Sequence, residues 1–254
     1  MAGLLLLWLA VWLMARICVR FRLNKVFSPA KKWPLFVEAV LVLLVLGAAF
    51  YARLWAIRSF PAEPGAGNRM QYDIAVLFLQ ASMQSLGGSY CDYVALFPDS
   101  MGYIYILKVV FQWFGASLDT VQYLNLACAT MSVLVWYRIA RRLGGRIAGF
   151  FALLLAAFWP SQILYPVVLS REPVFGLFFG ASILLFLQLA QESPGEGKSA
   201  WWGLVRYILL GFLLAVTIAI RPLGWLLVIA MILVLLPLKM RLPALPLNDI
   251  SLMV

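Results

Sequence analysis

The chain has 254 residues, of which 65% are hydrophobic and 12% charged, with a mean hydropathy of +0.96 and a net charge of +10. Soluble domains carry about 25% charged residues, so this composition excludes an ordinary soluble domain and indicates an all-α polytopic membrane protein. The positive charges fall in short loops between apolar runs, as orientation in a bilayer requires, and form no patch suited to nucleic acid.

Cys18, Cys91 and Cys128 are far apart and histidine is absent. A zinc site, a Cys–His nucleophile and a disulfide framework are therefore not indicated. Residues 1–34 comprise a short apolar run, Leu4–Ala15, and a basic stretch with Arg16, Arg20, Arg22, Lys25, Lys31 and Lys32. The run is a marginal span or a re-entrant segment. Basic residues follow it where a signal peptide would have a small-residue cleavage site.

Leu35–Ile57 reads as a transmembrane helix with Glu38 near its basic end. The long polar region 58–118 follows, containing "PAEPGAGN" and "GGSYCDY". Within it, Gln71–Ser85 reads as an amphipathic interfacial helix. A second piece, Tyr103–Phe114, ends at Gly115 and is too short to cross upright. Further spans are expected at Leu118–Tyr137, Ile147–Leu164, Val174–Leu189, Trp201–Ile220 and Leu223–Leu236, giving about six to seven in all. The core module is 35–238 and the C-terminal tail 239–254. No inverted repeat or pair of broken helices suggests a transporter. "GEGKS" is not a phosphate loop, because Glu192 stands where its first glycine belongs and no strand precedes it; a cytoplasmic turn is expected.

The basic loops at 16–32, 138–146, 198–206 and 239–241 should face the cytoplasm. The loops 58–118 and 161–173 and the turn at Arg221 then share the other face. That face collects Glu63, Asp73, Asp92, Asp99, Asp119 and Glu172 with Arg58, Arg69, Lys108, Arg171 and Arg221. Ionisable residues at an interface are functional candidates. A plainer reading puts Glu172 at a helix start, with Pro173 in the first turn and the carboxylate near the positive end of the macrodipole. It accounts for Glu172 but not for Arg171. Arg221 before Pro222 has a plain reading too, as a side chain snorkelling to the headgroups.

The order of these features resembles a known superfamily. "NRMQYDIA" (68–75), "FPDSMGYIYILKVVFQWFG" (97–115), the helical stretch 124–160, "REPVF" (171–175) and "IRPLGW" (220–225) occur in one sequence. This arrangement resembles the GT-C membrane glycosyltransferases that use polyprenyl-phosphate sugars, including protein O-mannosyltransferases and the N-terminal module of the lipid A aminoarabinose transferase. The resemblance implies a GT-C-like fold in a bacterial inner membrane and a polyprenyl-phosphate sugar donor. It also implies a lipid or protein acceptor on the non-cytoplasmic face. An outer-loop aspartate would be the base, and a second acid, matched here by Glu172, would bind a divalent cation (Mg or Mn) or position the acceptor. Arginines would hold the lipid phosphate, with Arg221, Arg171 and Arg69 as candidates.

Four residues before Tyr72, where the family has its aspartate, this chain has Asn68, which cannot act as a general base. Asp73, about 500° and roughly 7.5 Å further along a helix, is the nearest substitute. Asp99 in "FPDSMGY" is another. Such enzymes usually continue for several more helices, whereas this chain ends soon after the "RP" pair. Two expectations follow: a sugar transferase, or a catalytically silent GT-C-like subunit that binds membrane lipids and other membrane protein subunits.

Overall fold

The computed structural model describes residues 35–60, 66–80, 95–190 and 200–239, and within these it is helical. Leu4–Ala15, the basic stretch after it, Glu63, Asp92, the end of the expected 71–85 helix, the "GEGKS" loop and most of the tail lie outside the described residues. The helices are α1 (Leu35–Ser59), α2 (Ala66–Gln80), α3 (Met101–Phe114), α4 (Leu118–Phe158), α5 (Pro160–Leu164), α6 (Glu172–Ala190), α7 (Ala200–Ile220) and α8 (Gly224–Lys239).

Local sequence explains most of the boundaries. The turn Pro98–Ser100 leads into α3, and α3 stops at Gly115, whose φ of 83° suits a residue without a Cβ. Ser117 caps α4 by accepting from the Thr120 N–H at 3.1 Å. The helix α4 is a hairpin. Its backbone leaves helical geometry at Gly145 (φ 79°), giving arms 118–144 and 146–158 where two separate spans were expected. Across the hairpin, a Cβ on Gly149 would stand 2.9 Å from Arg141 Cβ and 3.1 Å from Tyr137 Cε2, so the arms touch closely. The second arm ends at Phe158 and not at Leu164. Pro160 has no N–H to continue the ladder, and Trp159 turns to extended geometry before the short α5.

Polar groups anchor both ends of α1. Near its start, Glu38 is 3% exposed and is held by Arg141 Nη1 at 2.9 Å, Arg146 Nε at 3.1 Å and the Tyr137 hydroxyl. Near its end, the fully buried Arg53 donates to Ala49 O (2.9 Å), Ala157 O (3.1 Å) and Ala156 O (3.0 Å). The last two carbonyls belong to the final turn of the second arm, where Pro160 interrupts the helix. Arg53 thus supplies donors that the backbone lacks there and places a cation at the negative end of the helix dipole.

Helix α6 packs along the first arm of α4 and against α7, while α2 packs on α3. The main core joins Ile74 and Ala75 of α2, Ile104, Leu107 and Phe111 of α3, Val121 and Cys128 of α4, Val174 and Phe175 of α6, and Ile220 of α7. Outside these seams the helices are apolar on their free faces: Phe36, Leu43, Trp201, Ile208 and Phe212 are all exposed. Such surfaces need hydrocarbon, not water, around them. Among the described residues, three helices are long and apolar enough to cross a bilayer, Phe36–Ser59, Glu172–Ala190 and Trp201–Ile220, with shorter apolar helices at Met101–Phe114 and Gly224–Val234. The protein is an integral membrane protein.

Candidate functional site

The site forms where the start of α6, the end of α7 and the start of α3 converge. Helix α7 ends at Ile220 because Arg221 precedes Pro222, and a residue before proline is driven out of the helical region. Arg221 is therefore released from the helix end toward its neighbours. Helix α6 starts at Glu172, as the Glu–Pro pair predicts, and the Phe175 N–H closes its first turn on Arg171 O at 3.0 Å.

These two ends meet. Arg221 Nη1 pairs with Glu172 Oε1, and its guanidinium lies 5.9 Å from the centre of the Phe175 ring. The pair is accessible, with side chains 38% and 29% exposed. Arg171 turns the other way, donating to Ser100 Oγ at 3.2 Å and to Ile220 O at 3.4 Å. A cation on the last carbonyl of α7 and an anion on the first turn of α6 both match the helix dipoles.

Behind the corner lie buried polar groups that sequence reasoning missed. Gln71 Nε2 donates to Ser100 Oγ at 3.4 Å, and Asn125 Nδ2 donates to Ser170 O at 2.9 Å. Tyr103, next to Asn125, is buried, and desolvation pushes its phenol above the usual tyrosine range, so it stays a protonated donor. A fully buried asparagine inside an apolar helix was the available sequence signal for Asn125, since such groups require partners.

The α2 candidates are placed differently. Asn68 Nδ2 donates to Val168 O at 2.8 Å, so its amide braces the turn before Arg171. Arg69 and Asp73 pair with each other at 3.2 Å on one face of α2, while Gln71, Ile74 and Ala75 are the residues it buries. The structure thus brings Arg171, Glu172 and Arg221 into one corner, ties Asn68 to the turn beside them, and pairs Arg69 with Asp73 on α2. Asp119 borders a groove of about 490 Å³ with Val110, Phe114 and Tyr123. No group of three acids, cysteines or histidines able to hold a metal ion occurs among the described residues. Glu172 is engaged by Arg221 in this corner.

The family model described as dolichyl-phosphate-mannose-protein mannosyltransferase matches residues 99–245, more than half of the chain. The chain belongs to this family. No curated protein and no solved structure matches it. The mannosyltransferase-family match begins at Asp99 and takes in Ser100, Asn125, Arg171, Glu172 and Arg221. The converging helix ends therefore lie within the part that defines membership of this GT-C-type glycosyltransferase family. Helices α1 and α2, with Asn68, Arg69 and Asp73, precede it.

Proposed function

We propose that the protein transfers a sugar from a polyprenyl-phosphate donor to a lipid or protein acceptor on the non-cytoplasmic face of a bacterial inner membrane, with about six to seven spans. The observation that carries this reading is the accessible Arg221–Glu172 pair beside Arg171, at converging helix ends, in a chain of this family. Guanidinium groups bind phosphate oxygens through paired N–H donors, and Arg221 can exchange a carboxylate oxygen for a phosphate oxygen at little cost. Arg171 adds a second guanidinium, and Glu172 orients Arg221.

In the reaction, the acceptor hydroxyl oxygen attacks the anomeric carbon, the bond from that carbon to the phosphate oxygen breaks, and the hydroxyl proton passes to a carboxylate. The departing polyprenyl phosphate gains negative charge, which the arginines stabilise. Asp73, paired with the half-exposed Arg69, is the acid we assign to the proton. Arg69 is assigned a supporting role in drawing the anionic headgroup.

Native mass spectrometry of the protein released gently from its own membrane tests the donor. The expected result is a bound polyprenyl-phosphate mass that Arg221→Ala removes; equal retention by the variant would sink the role of Arg221. Glu172→Gln and Asp73→Asn should each lower transfer by at least about 100-fold. Full transfer by both variants would remove the proposed acids.

A further inference from the structure

The turn at 165–171 delivers both Arg171 and Glu172 to the corner, and it contains a buried residue in left-handed geometry, Leu169 at φ 57°. A bulky side chain there costs about 1–2 kcal/mol, so surrounding contacts must impose the shape. Those contacts lie on either side of Leu169. Asn68 of α2 donates from Nδ2 to Val168 O at 2.8 Å, and Asn125 of α4 donates from Nδ2 to Ser170 O at 2.9 Å.

We infer that Asn68 and Asn125 are positioning residues, a two-point carboxamide clamp that holds the turn in the one shape that presents Arg171 and Glu172 to a phosphate-bearing lipid. This rests on the phosphate reading of the corner given above. The chemistry requires carboxamides. A peptide carbonyl only accepts, so each side chain must bring a donor, which the amide N–H supplies; ionised aspartate brings none and leucine leaves the carbonyl unpaired. At Asn125 the same requirement fixes Nδ2 on the Ser170 carbonyl. Asn68 thus does not stand in for a missing base. Its amide is used on the backbone.

The test uses the whole chain in phosphatidylcholine nanodiscs, with undecaprenyl monophosphate as the probe. Hydrogen exchange over 165–171 reports the clamp whether or not the probe binds, because the Val167, Val168 and Ser170 N–H groups close the turn on Leu164 and Tyr165. Asn68→Asp and Asn125→Asp should each raise exchange in this segment and weaken probe binding about fivefold to tenfold. Asn68→Gln, which keeps the amide at a partly exposed position, should restore both readouts. In an Arg171→Ala background, Asn125→Asp should weaken binding no further, since it acts through that arginine. Unchanged exchange over 165–171 in the Asn68→Asp protein overturns the clamp, and so do losses from Asn125→Asp and Arg171→Ala that add in full. Should Asn125→Asp not fold, the more accessible Asn68→Asp decides alone. A wild-type protein that ignores the probe while the variants exchange faster removes the phosphate reading and leaves the clamp standing.

Discussion

Arg221 and Arg53 are both arginines near the ends of apolar helices, yet their partners give them opposite duties. Arg221 is held by one accessible carboxylate and an aromatic ring, so it can exchange partners. Arg53 is fully buried, with three carbonyl bonds. Replacing Arg221 by lysine keeps the charge but loses the planar fork, so donor binding should weaken about tenfold, measured by titration of the lipid in nanodiscs. Arg53→Leu should leave donor affinity unchanged and destabilise the fold by about 2–4 kcal/mol, because two carbonyls at the end of the hairpin lose their donors in a dry interior. Thermal unfolding in detergent checks this. A variant as stable as the parent would show that those carbonyls find other donors.

Among the elements, close backbone approach decides how well the corner is held. A Cβ on Gly102 would fall 2.2 Å from Ala219 O, so α3 lies directly on the last turn of α7. Ser100 and Arg221 flank that contact. Gly102→Ala must push the two helices apart, and we expect a loss of about 1–3 kcal/mol in stability together with weaker donor binding. Gly115→Ala offers a comparison, because open space surrounds its Cβ position and only its φ of 83° opposes a side chain. It should cost about 1 kcal/mol without altering affinity. Unfolding curves and lipid titrations on both variants separate the effects.

For the molecule as a whole, the two ends of the bundle carry different chemistry. At one end the buried Glu38 ties α1 to the turn of the α4 hairpin through Arg141, Arg146 and Tyr137. At the other, Arg171, Glu172 and Arg221 form the accessible corner. Glu38→Leu should lower stability by about 2–4 kcal/mol by removing the buried carboxylate that Arg141 and Arg146 share, and transfer by the folded fraction should persist. Single cysteines placed at Arg142 and at Ala116 should label from opposite sides of sealed vesicles, with Ala116 on the non-cytoplasmic side. Labelling of both from one side would overturn the proposed orientation.

The sequence by itself determined the class and much of the chain's layout. Apolar runs of bilayer length gave the helices, "REP" and "RP" marked the ends of α6 and α7, and the order of motifs pointed to the glycosyltransferase family that the match at 99–245 establishes. Those signals are local: proline removes a donor, glycine permits a turn, and a span needs a fixed number of apolar residues. Only the tertiary structure decided which polar groups meet. Glu172 lies 49 residues from Arg221, and Asn68 lies 100 residues from Val168, so no helical period or motif spacing connects them. The same is true of Arg53 and the carbonyls freed near Pro160. In each case a buried polar group must find a partner, but packing between distant helices selects which partner lies within reach.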